Sequence, residues 1–281
     1  MKGSVRTFGK CILLGEHSAV RAHPALVFPL NSRALDLSWE QSAGEGMEID
    51  AGDFAPAFRA ALGEALRLAN AKLPPGAWRF TLSSTVPPQA GLGSSAALSV
   101  AIAKFFTELK FLAGDLYPFA LQLENLFHGK SSGMDVAAVL SAAPILFRAG
   151  AVEKLDLAWR PRLYLADTGL RSSTKSCVEK VIAQNRPDLD ERNANAVLLG
   201  KQALSLSGGR ALLGVAMDEA LACFEEWDLI PLAVAAQVRG LKAAGALAVK
   251  PTGSGNGGYL LSLWDEEAPV PEGLIPVWAD S

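Results

Sequence analysis

The sequence predicts an α+β protein, and three observations carry that expectation. The first half interleaves short β-like runs with helical spacing. The second half sets three helical stretches between segments that read as strands, the pattern of helices packed on one face of an antiparallel sheet. Half of the 281 residues are apolar, enough for a sizeable buried core.

The elements follow in chain order. Cys11–Leu14 and Ala25–Val27 are short apolar runs that fit strands. Phe54–Ala71 has helical spacing, with Phe58, Leu62, Leu66 and Ala69 on one face, and Pro74, Pro75 and Gly76 end it. Trp78–Val86 alternates and is rich in Thr and aromatics, so it reads as a strand. A Gly-rich loop then opens a long apolar helix over Ser95–Leu109. A second helix covers Leu116–Phe127, a break falls at His128–Ser131, and a third helix starts near Ser132. Arg162–Asp167 is a strand that delivers TGLRSSTK into a loop. Helices over 188–206, 210–226 and 229–243 precede two strands, Ala246–Val249 and Tyr259–Trp264, which flank KPTGSGNGG. The weakest seam lies near Gly150–Trp159, which divides the chain into residues 1–155 and 156–281.

Composition narrows the function classes. The net charge is -3 and basic residues are scattered, which argues against a nucleic-acid or membrane-surface partner. Cys11, Cys177 and Cys223 are far apart and odd in number, so they read as buried hydrophobes in a reducing compartment. The first residues lack the charged-then-apolar layout of a signal peptide, and no run approaches the roughly 20 apolar residues of a membrane span. The expectation is a soluble cytoplasmic enzyme.

Three segments carry chemistry. In Pro87–Ala97, PPQAGLGSSAA, glycines permit close backbone approach, and the following helix points free N–H groups back into the loop. That is an anion site suited to phosphate, although the Lys of a P-loop is missing after Gly93. The plain alternative is a turn with Ser94 as helix cap. In Glu124–Asp135, ENLFHGKSSGMD, one acid ends a helix and the other begins the next. Asp135 there could simply compensate the helix dipole. Beside a phosphate loop, one acid can instead hold Mg²⁺ and another can orient or deprotonate a hydroxyl. In Lys250–Gly258, KPTGSGNGG, the glycines match a dinucleotide fingerprint, but a strand follows rather than a helix. A turn packed on another backbone is the better reading, with an ordinary structural hairpin as the alternative.

Gly129–Gly133 also fits the GxSxG of serine hydrolases with Ser131 as nucleophile. It follows a helix, and His17, His23 and His128 all precede it, so the order of that fold is violated. A non-catalytic nucleotide-binding protein is the remaining rival outside the kinases.

Taken together and in order, these segments resemble the superfamily of galactokinase, homoserine kinase, mevalonate kinase and phosphomevalonate kinase (GHMP kinases). Gly9–Val20, GKCILLGEHSAV, followed by Pro24-Ala25-Leu26, is similar to the mevalonate kinase branch. So is HGKSSGMD at His128–Asp135. Three departures stand out: Ala22 where Gly is usual, Ser131 in place of Pro, and Asn256 where Gly or Arg is usual.

The resemblance implies a two-domain GHMP-kinase-like fold with the active site in the cleft between an ATP-binding domain, 1–155, and an α+β domain, 156–281. It implies ATP-dependent phosphorylation of the primary hydroxyl of mevalonate, with ATP and Mg²⁺ as cofactors and a homodimer left open. Another small metabolite, such as phosphomevalonate or a sugar, is the rival acceptor. From matching positions, Asp135 is the catalytic acid and Lys10 its neighbour. Pro88, Gln89, Ala90, Gly91, Leu92, Gly93, Ser94, Ser95 and Ala96 wrap ATP, together with Gly253 and Gly255. Ser95 and Glu124 hold Mg²⁺. Glu16, His17, Arg171 and Thr174 face the substrate. A phosphorylated substrate calls for several basic side chains, and only Lys10, Lys130, Arg171 and Lys175 can be nominated.

Overall fold

The computed structural model describes residues 1–88, 90–129 and 131–278. Gln89 and Lys130 lie outside the described residues.

Two long strands form the spine of the first sheet. β1 (Lys2–Leu14) and β2 (Ala25–Ser42) run antiparallel over almost their full length. β4 (Ala77–Ser84) pairs with the C-terminal half of β2, and β5 (Ile145–Arg148) with its first three residues. β3 (Gly46–Asp50) lies parallel to β4, and α1 (Ala55–Leu68) connects the two. β6 (Ala151–Lys154) continues the sheet from β5. α2 (Ser94–Glu108) and α4 (Met134–Ser141) pack on this sheet, and α3 (Tyr117–His128) packs on α2, α4 and α1.

The second sheet has the order β10-β7-β9-β8 and is antiparallel throughout. It comprises β7 (Arg162–Asp167), β8 (Ala248–Thr252), β9 (Tyr259–Trp264) and β10 (Ile275–Pro276). Between β7 and β8 come α5 (Thr174–Gln184), α6 (Pro187–Leu204), α7 (Arg210–Glu226) and α8 (Leu232–Ala243).

The apolar runs owe their character to where the strands lie. β1 alternates in exposure at first, then Gly9–Leu14 is buried on both faces. A strand covered on both faces reads as a continuous apolar stretch, which is why only Cys11–Leu14 is visible as a strand in the sequence. One core cluster joins Leu35, Trp39, Phe58, Trp78, Phe80 and Phe105 under α1 and α2. Another joins Leu13, Leu14 and Phe28 of the first sheet to Leu163, Met217 and Leu261 of the second half. The apolar core therefore crosses the seam, and it fixes β1 against β8, α6 and α7.

Several expectations are corrected. The strand expected over Cys11–Leu14 begins at Lys2, and that over Ala25–Val27 continues to Ser42. Their outer halves alternate rather than run apolar: in β2, Leu35, Leu37 and Trp39 face the core while the residues between them are only partly buried, so a search for continuous apolar runs stops short. β3 and β6 carry too few apolar residues to be recognised locally, and β5, though mostly apolar, is only four residues long. Thr174 and Lys175 belong to α5, not to a loop. That helix buries only Cys177 and Val181, so its apolar periodicity is nearly invisible. All three cysteines are buried and unbridged, as expected. No helix among the described residues is long and apolar enough to cross a membrane.

Candidate active site

The phosphate-type loop runs from β4 into α2. Gly91 and Gly93 take φ of +77° and +76°, a left-handed conformation that costs glycine nothing. The residue that caps α2 is Gly93, with no side-chain hydrogen bond to the first turn. The alternative of Ser94 as a cap is thereby overturned, because Ser94 is already helical. An uncapped N-terminus keeps its N–H groups and its positive dipole end available to an anion. α4 starts in the same way, on Gly133 at φ +82° without a side-chain cap.

Lys10 reaches this loop from β1. Its backbone N–H donates to Leu92 O at 2.9 Å. Its ammonium lies 3.0 Å from Asp135 Oδ1, with the lysine side chain buried and the aspartate 27 % exposed. Asp135 stands in the first turn of α4. Dipole compensation therefore does not exhaust its role, since it also meets a buried cation. The pair couples a partly open carboxylate to the helix end that the loop wraps.

Ser95, on the first turn of α2, donates to Glu124 Oε1 at 2.8 Å. Glu124 is buried on α3 and also accepts from Ser99 Oγ at 3.3 Å. His128 joins them, with Nε2 3.1 Å from Ser95 Oγ and 3.2 Å from Glu124 Oε1. The bond to Glu124 raises the His128 imidazole above its ordinary value. His128 was not nominated as a site residue. Its position four residues after Glu124, on the same helix face, is the signal that could have found it.

The β8–β9 turn closes over the loop. A Cβ on Gly91 would meet Thr252 O at 3.2 Å, one on Gly253 would meet Gly91 Cα at 3.2 Å, and one on Gly258 would meet Ala90 O at 3.1 Å. Backbone packed on backbone is what these glycines permit. Gly255 instead packs against Leu229 and Phe224, and its carbonyl accepts from Ser172 Oγ at 2.7 Å. The structure therefore brings Gly253 to the loop and gives Gly255 a packing position.

Glu16 and His17 follow β1 and are buried. Lys250 Nζ donates to Glu16 Oε1 at 2.5 Å, with both side chains buried. Burial pushes the Glu16 carboxyl up, against the pull of Lys250, and pushes the Lys250 ammonium down. His17 takes φ +61°, rare for a residue with a side chain. Its ring packs on Phe224 and Trp227, and Nε2 lies 3.0 Å from Ser254 O. Burial lowers its pKa to about 4, so the ring is neutral near pH 7. A carbonyl only accepts, so Nε2 carries the proton and Nδ1 is left as an acceptor.

The loop after β7 divides its nominated residues. Thr174 lines a small cleft with Ala90, Gly91, Ser172, Thr252 and Ser254. Arg171 turns to Asp167 in a two-pronged pair at 2.8 and 2.9 Å. Lys175 is exposed and lies 3.9 Å from Glu179. A second, wider cleft adjoins the start of the Gly-rich loop, lined by Ala51–Phe54 on one side and by Leu82, Val86 and Pro88 on the other. Lys250, Thr252 and Ser254 were missed among the site residues. A lone lysine inside the apolar run before a Gly-rich turn was the available signal for Lys250.

The departures from the family pattern have a common geometry at two of three positions. Ala22 and Asn256 take φ of +66° and +57°, where a glycine would be relaxed. Asn tolerates that region better than Ala does.

Known proteins resemble the chain over most of its length. The family of GHMP kinases N terminal domain matches residues 57–142, which contain the Gly-rich loop, Glu124 and Asp135. The chain is 29 % identical to mevalonate kinase of Aeropyrum pernix, over 96 % of this chain and 90 % of that one. It is 24 % identical to mevalonate kinase of Thermococcus sibiricus, over 92 % and 88 %. Among solved structures, L. major mevalonate kinase in complex with R-mevalonate is similar with a TM-score of 0.83 and 25 % identity, covering 94 % of this chain and 88 % of that one. The likeness to the Aeropyrum pernix mevalonate kinase spans about nine-tenths of both chains and extends well beyond residues 57–142, the part that matches the GHMP kinases N terminal domain.

Proposed function

We propose that this protein transfers the γ-phosphoryl group of ATP to the primary hydroxyl of mevalonate. The observation that carries the reading is the Lys10–Asp135 pair, held beside the uncapped N-terminus of α2. The N–H groups of that helix end and the backbone of Gly91–Ala96 bind the phosphates. The nucleoside lies along the loop in the cleft beside Val86 and Pro88. Residues 1–155 supply the nucleotide side of the site, and 156–281 close over it.

Asp135 orients the acceptor hydroxyl and takes its proton as the oxygen attacks phosphorus. The new O–P bond forms as the bond from the γ-phosphorus to the bridging oxygen breaks, and ADP leaves. Lys10 stabilises the negative charge spread over the transferring group. Ser95 and Glu124 offer the hard oxygen donors that Mg²⁺ prefers, short of a closed protein cage, as suits a metal shared with phosphates. When bound there, Mg²⁺ neutralises phosphate charge.

The acceptor side favours mevalonate over a phosphorylated substrate. Lys10 is engaged by Asp135, Arg171 by Asp167, and Lys175 points to solvent near Glu179. Glu16 and a neutral His17 offer hydrogen-bond acceptors rather than cations. Thr174 opens on the cleft, and Arg171 reaches a substrate carboxylate by exchanging Asp167 for it.

The test is a coupled ADP-release screen over mevalonate, phosphomevalonate, galactose and homoserine. Mevalonate-dependent release is expected. A clear preference for another acceptor overturns the substrate, and no release with any acceptor favours a nucleotide-binding protein without kinase activity.

A further inference from the structure

Two buried lysines approach the site, and each has its own carboxylate. Lys10 takes Asp135, while Lys250 takes Glu16. Lys250 comes from β8 and Glu16 from the loop after β1, so this second pair joins the two halves of the chain. The Lys250 ammonium also donates to Pro251 O at 2.5 Å and lies 5.5 Å from the centroid of the Phe224 ring. It is a fully enclosed cation with a single carboxylate beside it.

That carboxylate is only half used. Oε1 accepts from Lys250, whereas Oε2 is buried and has no partner among the described residues. On the next residue, His17 Nδ1 is likewise buried without a partner. A buried acceptor left without a donor is costly, and native structures rarely keep one without a reason. Both atoms accept, so what completes them is a donor such as a hydroxyl.

We propose that Lys250 is a positioning residue for the phosphoryl acceptor: it holds Glu16 as an anion, so that Oε2 is free to take a hydrogen bond from a substrate hydroxyl. This rests on the proposed reading of Glu16 and His17 as acceptor-side residues. Without Lys250, an enclosed carboxylate is the neutral acid at pH 7, since burial disfavours its charge. The charge-assisted bond to the substrate is then replaced by a weaker neutral one. The other titratable groups around Glu16 leave Lys250 as its direct partner. Lys10 and Cys11 come from β1. Lys10 is engaged by Asp135, and burial pushes the Cys11 thiol up to about 12. His17 beside it is neutral near pH 7, and the Arg21 guanidinium beyond is engaged by Asp190 through Nε and Nη2. From α6, Asn193 donates to the Glu16 carbonyl and carries no charge.

The experiment compares wild type, Lys250→Met, Glu16→Gln and the double variant Glu16→Gln/Lys250→Met, each followed by KM for mevalonate and for ATP between pH 6.5 and 9. Relative to wild type, Lys250→Met should raise KM for mevalonate about tenfold or more at pH 7, and the defect should shrink as pH rises and Glu16 ionises. KM for ATP should stay within about twofold, because the Gly-rich loop is untouched. Glu16→Gln and the double variant should show the mevalonate defect without its pH dependence. A pH-independent defect in Lys250→Met, or equal losses for both substrates, reduces Lys250 to a structural tie and overturns the proposal. So does an unchanged KM for mevalonate.

A substrate-free measurement separates this from the function itself. In Lys250→Met the folded-state carboxyl of Glu16 titrates above its unfolded value. Its stability contribution is therefore lost as pH rises through the folded value. The Tm of Lys250→Met should fall from pH 6 to 9 relative to the double variant, which lacks the carboxyl. If wild type releases no ADP with mevalonate but this Tm difference appears, the acceptor is wrong and Lys250 still holds Glu16 ionised. If the Tm difference is absent, the proposal fails whatever the acceptor.

Discussion

The Cβ that Gly93 lacks would fall 2.8 Å from Cγ of Lys10. The glycine that caps the phosphate-side helix thus also makes room for the lysine that meets Asp135. Gly93→Ala should strike both functions at once. The new methyl displaces the Lys10 stem, and φ of +76° strains any side chain. ATP affinity should fall, and kcat should drop by about tenfold or more as Lys10 leaves its place. Because Gly93 is buried, not exposed as a surface loop would be, a lower Tm should accompany these effects. Calorimetric ATP affinity and turnover equal to wild type would refute the shared role.

Asp135→Asn keeps the shape of the side chain and removes its basicity. Loss of a general base costs about 10²–10⁴ in rate, so kcat should fall by roughly that factor. ATP affinity should stay nearly constant, since the loop and the oxygen donors at Ser95 and Glu124 are unaltered. Single-turnover phosphate transfer is the decisive measurement, because product release can mask a chemical defect. Transfer within about threefold of wild type would return Asp135 to dipole compensation alone.

Glu124→Gln should raise the Mg²⁺ concentration for half-maximal activity by about tenfold or more, because a neutral amide oxygen is a poorer ligand than a carboxylate. Mg·ATP binding should weaken in parallel. Titration of Mg²⁺ at fixed ATP reads both, and an unchanged midpoint would remove Glu124 from the metal.

His17 makes a prediction about stability and pH. Its folded pKa is lowered to about 4 from the model-compound value of 6.5, so between these values the unfolded chain binds the extra proton. Stability from this group is complete above 6.5 and is lost as pH falls toward 4. The loss amounts to about 3 kcal/mol at about 1.4 kcal/mol per pH unit. His17→Leu should flatten the acid limb of a urea-denaturation series over that window. It should also raise KM for mevalonate more than KM for ATP. An acid limb identical to wild type would show that His17 does not titrate in this way.

Ala22→Gly should stabilise the fold by about 1 kcal/mol, because Ala22 holds φ of +66° where an alanine is strained and a glycine is not. Thermal unfolding of the two proteins compares them directly. A lower Tm would mean that the flexibility glycine adds to the unfolded chain outweighs the relieved strain.

The sequence by itself determined the local chemistry of this protein. The run of glycines before an apolar helix, the acids at neighbouring helix ends, and the strand Arg162–Asp167 were legible because each depends on residues close in the chain. Turn geometry, helix termini and apolar periodicity are all local physics. The expectation that Lys10, Ser95, Glu124 and Asp135 share one site came only from resemblance. The structure then brought Ser95 to Glu124 and Lys10 to Asp135, from separate elements. What the tertiary structure alone decided lies across long separations. Solvated strands such as β3 and β6 are held by pairing that no local pattern announces. α5 is anchored by two buried side chains supplied with neighbours from elsewhere. Lys250 and Glu16 are 234 residues apart and read in the sequence as two ordinary charges. Their meaning comes from burial, because only an enclosure that excludes water makes each ammonium and carboxylate depend on one particular partner.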